Sequence, residues 1–150
     1  MRTFDLKLVL RFLALAAFAA CAYAADIIMF KTGTVKVGSH PLSVELALNE
    51  DQRERGLMFR KHLGRDEGMV FVFDEPAYQS MWMKNTLIPL SVAFLDGEGR
   101  ILNIVDMQPQ TLDTHTSAGP ARYAIEANAG WFERNKVKAG DKVTGLPPPR

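Results

Sequence analysis

Cysteine is nearly absent from this sequence, and its scarcity excludes several kinds of chemistry. Cys21 is the only cysteine among 150 residues, and it lies just before a sequence of the type cleaved by signal peptidase, Ala22-Tyr23-Ala24. If the chain is cleaved after Ala24, the mature protein contains no thiol. Disulfide bonds, thiol catalysis and thiolate metal sites are then all excluded, so the mature chain must be stabilised by its packed core.

An excess of charge of either sign is also absent. The chain contains 18 Lys and Arg residues against 17 Asp and Glu residues. Removal of residues 1–24 would take away 3 of the basic and 1 of the acidic residues and leave a formal charge of −1. A near-neutral chain without basic blocks argues against nucleic acid as a partner and against electrostatic docking on membranes.

The sequence has no apolar run long enough to span a membrane, but its N-terminus is typical of an export signal. Arg2, Lys7 and Arg11 supply the positive end, and residues 12–20 form a short apolar run. We therefore expect a signal peptide over residues 1–24, a mature N-terminus at Ala25, and a periplasmic or secreted protein. The alternative is lipoprotein processing at Cys21, and only then would the membrane be a partner.

Metal-ligand and nucleophile motifs are missing as well. The three histidines, His40, His62 and His115, do not have the spacing of a zinc site, and no G-x-S-x-G motif is present. Thioethers suit Cu(I) in an exported protein, so Met81 and Met83 form an alternative, less favoured copper site. The same two side chains also suit an ordinary core. The sequence identifies no cofactor.

The patterns that are present predict many short strands. Residues 42–48 alternate between apolar and polar side chains, residues 69–73 are continuously apolar, and residues 123–127 alternate again. Residues 90–95 and 100–107 flank a glycine-rich turn and predict a hairpin. Asn49 and Gly56 are placed to begin and end a short helix, and residues 130–134 predict a second helical turn.

This order of elements predicts a mainly β fold. We expect a compact β-sandwich or barrel of short, mostly antiparallel strands with one or two short helices. Residues 25–41 would form an N-terminal extension with the first strands, residues 42–145 a single β-rich domain, and residues 146–150 a proline-rich tail.

Four segments in this order resemble a known family. They are residues 55–60 (RGLMFR), 68–73 (GMVFVF), 82–90 (WMKNTLIPL), and 123–126 (YAIE) with 130–131 (GW). Together they resemble the family named domain of unknown function 192, also called uncharacterised ACR, over about residues 42–145. The resemblance implies a compact β-rich domain, often behind an export signal, and no established activity. Members commonly have Asp where this chain has Ser91, which weakens any mechanism that needs a carboxylate there.

The most informative segment is the strand-like apolar run from Met81 to Leu90, which a Lys-Asn-Thr step interrupts. Burying an unpaired amide or ammonium group costs roughly 1–3 kcal/mol or more. Lys84, Asn85 and Thr86 must therefore bond to nearby backbone, reach water, or contact a ligand. In the third case they would lie at the rim of a pocket walled by the neighbouring Trp82 and methionines.

Glu126 is the second candidate, in the predicted strand 123–127. An outward orientation, which we favour, would make it a solvated charge. An inward orientation would require a cation, and the candidates are Arg55, Arg60, Lys84 and Arg122. Such a buried pair would be either a structural lock, which we favour, or half of an acid–base site.

These observations favour a non-enzymatic exported domain that binds a small polar ligand or an extracytoplasmic protein. The predicted pocket contains Arg55, Met58, Trp82, Lys84, Asn85 and Glu126. One alternative is a small hydrolase that uses Glu126 or His115 as an acid–base group. The other is the copper site at Met81 and Met83.

Overall fold

The fold is mainly β, as the sequence predicts. The computed structural model describes residues 27–148, and over that range it contains nine strands and two short helices. In chain order these are β1 (Lys31–Val37), β2 (His40–Ala47), α1 (Glu50–Arg55), β3 (Glu67–Ala77), β4 (Ser80–Met81), β5 (Leu90–Leu95), β6 (Ile101–Met107), β7 (His115–Thr116), β8 (Ala121–Asn128), α2 (Trp131–Arg134) and β9 (Val143–Thr144). None of the helices in this part of the chain has the length and hydropathy needed to cross a membrane.

Seven of these strands form one curled sheet in the order β6-β5-β8-β3-β2-β1-β9. Neighbouring strands pair antiparallel, except β2 and β3, which are parallel and connected through α1. The two edges of the sheet meet at one end, where Arg100 bridges to Lys142. There the Ile101 amide donates to the Asp141 carbonyl at 2.9 Å. The sheet is therefore a half-barrel, which confirms the predicted fold class. β4 and β7 form a separate two-stranded sheet.

The local signals in the sequence explain the first helix. The Asn49 side chain accepts a hydrogen bond from the Gln52 amide at 2.9 Å, and so caps the N-terminus of α1. Gly56 ends the helix with φ 47°, a conformation that glycine adopts without steric cost. Both predictions are confirmed, and they fix the position at which the chain leaves α1 and enters the site described below.

Apolar side chains cover both faces of the central strands β3, β5 and β8. The concave face is filled by one buried cluster that includes Val70, Ile125 and, from α2, Trp131. A second cluster lies on the other face and includes Met69 and Val92. It is covered by the residues that follow α1 and by those between β4 and β5. A side chain on either face of β8 is therefore buried.

The segment between β4 and β5 differs from the sequence prediction. It is not a strand, because β4 ends at Met81 and residues 82–89 form turns and irregular structure before β5 begins. Asn85 has φ 55°, in the left-handed region that asparagine tolerates better than most residues. The Thr86 amide donates to the Met83 carbonyl at 3.1 Å and closes the turn. The chain therefore turns at Lys84, Asn85 and Thr86. The apolar residues on either side make this turn resemble a strand in the sequence.

The remaining sequence predictions about organisation are not tested. The predicted signal peptide, with Cys21, lies outside the described residues, as do the last two residues of the predicted proline-rich tail.

Candidate functional site

Glu126 is the least expected feature of the molecule. It is only 4% exposed, and its neighbours across the sheet are Met69 in β3 and Val92 in β5, both fully buried. The prediction that Glu126 faces solvent is therefore wrong. The alternation within β8 is real, but the strand has no solvent-facing side, because the second core cluster covers it.

The prediction of a buried lock is also wrong. Within residues 27–148, the Glu126 carboxyl group has neither a hydrogen bond nor an ion pair. The four candidate cations contact other groups: Arg60 pairs with Glu45, Arg122 lies 3.6 Å from Glu75, and Arg55 and Lys84 lie over the rings of Phe59 and Trp82.

Burial changes the protonation of this carboxyl group. Desolvation raises the pKa of Glu126 from its ordinary value of 4.5 to about 8. Burial has this effect because the ionised form loses its hydration and no nearby cation replaces it. At neutral pH the side chain is therefore mostly a neutral acid, which can donate one hydrogen bond and accept others.

Glu126 is not sealed inside the core. It lines a cavity of about 210 Å³, which we call the inner cavity. The other walls include Arg55 at the end of α1, Met58, Phe71 from β3, and Trp82. Glu126, which has no partner among the described residues, thus faces open space that is lined by apolar and aromatic side chains and by the charged residues Arg53, Glu54 and Arg55.

A second cavity of about 390 Å³ adjoins the inner one, and we call it the outer cavity. The two cavities share four lining residues: Glu54, Arg55, Met58 and Trp82. Lys84 and Asn85 line the outer cavity, together with Asp51 from the first turn of α1. The outer cavity is therefore rimmed by charges of both signs.

The structure brings the six predicted site residues to these two cavities. Arg55, Met58 and Trp82 line both, Lys84 and Asn85 line the outer cavity only, and Glu126 lines the inner cavity only. That these residues bind a ligand remains a prediction.

Two turns are bonded to each other at the mouth of the cavities. The Phe59 amide donates to the Asn85 carbonyl at 2.8 Å, and both residues have positive φ. The Asn85 amide group also lies 4.0 Å from the Met58 sulfur. The short helix and the Lys-Asn turn, far apart in sequence, therefore form one wall.

Two acidic residues on this wall, Asp51 and Glu54, were not predicted. The first helix contained a signal that could have revealed one of them. Asp51 and Arg55 are spaced i and i+4, so they share one face of α1, and Glu54 precedes Arg55 in the same helix. Arg55 was a predicted site residue, so its neighbour on the same face belongs with it.

Ser91, the position at which the chain departs from the family pattern, is a structural residue. Its hydroxyl donates to Asp106 on β6 and accepts from the Gly130 amide at 2.8 Å. It does not line either cavity. The absence of a carboxylate here therefore removes nothing from the cavity walls.

His115 lies apart from Glu126. It belongs to β7, directly opposite Met81 in β4, and its Nε2 atom is buried without a hydrogen-bond partner. It lines neither cavity, and the hydrolase alternative, which uses Glu126 or His115, stays a prediction. Within residues 27–148, no cluster of three or more His, Cys, Asp or Glu side chains is placed to hold a metal ion.

Comparison with known proteins identifies relatives but no activity. A family model, DUF192 (Uncharacterized ACR), matches residues 33–145. A solved structure of a provisionally assigned transcription regulator from Sinorhizobium meliloti 1021 is 37% identical, with a TM-score of 0.75, and the match covers 77% of this chain and 95% of that one. A protein of unknown function from Novosphingobium aromaticivorans is 34% identical, with a TM-score of 0.70, and the match covers 81% and 89% of the two chains. No curated protein matches.

Proposed function

The chain belongs to the DUF192 family, uncharacterized ACR, and we propose that it is an exported domain that binds a small polar ligand in the inner and outer cavities. The observation that carries this proposal is the unpaired, buried carboxyl group of Glu126, which faces the inner cavity. Leaving a buried polar group unsatisfied costs on the order of 1–3 kcal/mol. Residues that a protein keeps in this state are concentrated at binding and active sites.

The walls of the cavities also fit a ligand site. Small-molecule pockets are mostly apolar, with a few fixed polar groups that orient the ligand. Here Met58, Phe71 and Trp82 supply apolar and aromatic surface. Glu126 supplies a buried polar group, and Arg53, Glu54 and Arg55 supply further charged groups. The inner cavity is smaller than the usual range of roughly 300–1,000 Å³. The ligand is therefore small, or it extends into the outer cavity.

The proposal is tested by NMR titration of the ¹⁵N-labelled protein. Three polar probes of similar length and different charge are suitable: 1,4-diaminobutane, 1,4-butanediol and succinate. Saturable shifts of the Trp82 indole and Gly56 amide signals with at least one probe would support the proposal. Met58→Trp, which fills the shared wall, should abolish the shifts, whereas Leu112→Trp, at an exposed position away from both cavities, should keep them. Absence of shifts with all three probes at millimolar concentrations would contradict it.

We propose a periplasmic or secreted location, supported by the charged, apolar and A-x-A segments of residues 1–24. Lipidation at Cys21 is the alternative and would add a membrane anchor. An extracytoplasmic protein is the alternative partner at the same site. The near-neutral charge gives no support for nucleic acid binding, although one relative is provisionally assigned as a transcription regulator.

Copper binding is a second candidate, favoured by the position of His115. Met81 and His115 are direct partners in the two-stranded sheet and so lie on the same face of it. The buried, unpartnered Nε2 atom of His115 and the Met81 thioether are both ligands that Cu(I) accepts. Met83, the other predicted ligand, is fully buried in the core beyond the end of β4.

A competition titration with a colorimetric Cu(I) chelator tests this second candidate. We expect capture of Cu(I) that is lost in Met81→Leu and in His115→Asn but retained in Met83→Leu. Equal capture by the unmodified protein and the three variants, or no capture by any of them, would contradict copper binding at this site. The hydrolase alternative, with Glu126 or His115 as the acid–base group, stays a prediction; His115 does not line the cavity that contains Glu126.

A further inference from the structure

We propose that the ligand of the two cavities carries a positively charged amine or guanidinium group, and that this group forms an ion pair with the Glu126 carboxylate. The inference rests on the proposed function, because it names the chemical class of the ligand for the same site. It is supported by a difference between the charged side chains around the cavities. The basic side chains have contacts with other groups, whereas the acidic ones have no partner among the described residues.

The acidic side chains that line the cavities have no partners within the part of the chain that the structure describes. Asp51 and Glu54 line the outer cavity, and Glu54 and Glu126 line the inner one. None of the three forms an ion pair or a side-chain hydrogen bond with another described residue. Glu126 is the decisive member, because it is buried and still faces the cavity. Carboxyl groups are thus available to a ligand in both cavities: those of Asp51 and Glu54 in the outer one, and those of Glu54 and Glu126 in the inner one.

The basic side chains, in contrast, are engaged. Arg53 donates to the Val72 carbonyl and to the Asp74 carboxylate, each at 2.9 Å. The Arg55 guanidinium lies 4.8 Å from the centre of the Phe59 ring. An anionic ligand would compete with Asp74 for Arg53, whereas a cationic ligand would meet carboxyl groups that have no partner among the described residues.

Trp82 shows that the shared wall accepts a cation. The Lys84 ammonium lies 5.1 Å from the centre of the Trp82 ring, and Trp82 is 44% exposed. Tryptophan is the aromatic side chain that attracts cations most strongly. The Lys84 ammonium therefore marks where a ligand cation can contact the wall, either beside it or in its place.

The proton balance follows from the groups that face Glu126. Arg53, Glu54 and Arg55 line the inner cavity from α1, whereas β3 and β5 contribute apolar neighbours and the β4–β5 segment contributes no charged side chain to it. Burial raises the pKa of Glu126 to about 8, so the free carboxyl group is mostly protonated at neutral pH. An alkyl ammonium group has a pKa of about 10.4 and stays charged. Formation of the ion pair therefore releases the Glu126 proton to solvent.

Isothermal titration calorimetry with 1,4-diaminobutane tests the inference. Titrations at pH 7 in phosphate and in HEPES, buffers that have different ionisation enthalpies and contain no primary amine, should show close to one proton released per bound diamine. Affinity should rise about tenfold per pH unit between about pH 6 and 8, because the carboxylate is the binding form.

Two isosteric variants give the matched comparison. Glu126→Gln keeps the shape of the side chain and should lower diamine affinity at least tenfold at pH 8 and abolish proton release. Glu133→Gln, at an exposed position outside both cavities, should behave as the unmodified protein. Diamine binding without proton release, or binding unchanged by Glu126→Gln, would overturn the inference.

The same probes separate this inference from the proposed function. If succinate or 1,4-butanediol shifts the Trp82 and Gly56 signals and the diamine does not, the proposal of a cationic ligand is wrong, and the proposed binding function stands. If none of the three probes shifts those signals, both are wrong.

Discussion

The ionisation of Glu126 makes the free energy of unfolding depend on pH. The folded state holds the proton up to a pKa of about 8, whereas the unfolded chain releases it near the ordinary value of 4.5. The folded state therefore binds more protons in the interval between these values, and the free energy of unfolding falls as pH rises through it. The contribution of Glu126 is fully present below about pH 4.5 and is lost by about pH 8.

The Glu126→Gln variant should remove this dependence. We expect it to match the unmodified protein near pH 4.5 and to be more stable near pH 8, by an amount on the order of a few kcal/mol. Urea denaturation at several pH values measures this difference, with Glu133→Gln as the control. Stability curves that stay parallel from pH 4.5 to 8 would show that Glu126 ionises normally in the folded protein.

Ser91→Ala should destabilise the fold without affecting the cavities. Loss of the hydroxyl removes the bond to Asp106 and leaves the Gly130 amide without its acceptor. We expect a loss of about 1–3 kcal/mol in the free energy of unfolding, measured by chemical denaturation. Ser43→Ala, at an exposed position on β2, should change it by less than about 0.5 kcal/mol. Equal effects of the two substitutions would contradict the role assigned to Ser91.

At the scale of elements, the segment between β4 and β5 shows where sequence reasoning succeeds and fails. The polar character of Lys84, Asn85 and Thr86 indicated a special position, and two of the three do line the outer cavity. Hydrophobic periodicity could not show that the chain turns there, because Met83 and Ile88 are buried from a loop as deeply as strand residues would be. The turn is instead visible in the positive φ of Asn85, which no pattern of hydropathy encodes.

This turn can be tested with a pair of substitutions at Asn85. Asn85→Ala places a side chain with a Cβ and no local hydrogen bond in the left-handed region, which costs about 1 kcal/mol. Asn85→Gly adopts the same φ without that cost and should stay within about 0.5 kcal/mol of the unmodified protein. Thermal or urea denaturation measures both. An alanine variant as stable as the glycine variant would mean that the turn has a different backbone conformation in solution.

At the scale of the whole molecule, the sequence predicted the mainly β class, the first helix and the β5–β6 hairpin, because each depends on residues that are close in the chain. It did not predict the orientation of Glu126. That orientation depends on which elements cover β8, and the cover comes from segments more than 30 residues away in sequence. Because both faces of β8 are buried, the alternation of apolar and polar residues in this strand does not indicate a solvent-facing side. The pattern alone therefore gave the wrong orientation for Glu126.

Processing of the N-terminus gives a prediction for the entire chain. The intact mass of the protein recovered from the exported fraction should correspond to residues 25–150, with Ala25 first. A chain that begins at a lipid-modified Cys21 would be heavier and would partition into detergent. Retention of residues 1–24 in that fraction would contradict the proposed cleavage.

The strand order carries a consequence for the nascent chain. β8 lies between β3 and β5, so neither of those strands has its central neighbour until residue 128 has been synthesised. Until then the polypeptide presents two separate pieces with open edges, the β1–β3 layer and the β5–β6 hairpin, and such edges promote association between molecules. Pairings of this long range also slow folding. A polypeptide of this topology benefits from a chaperone that shields those edges until synthesis has passed β8.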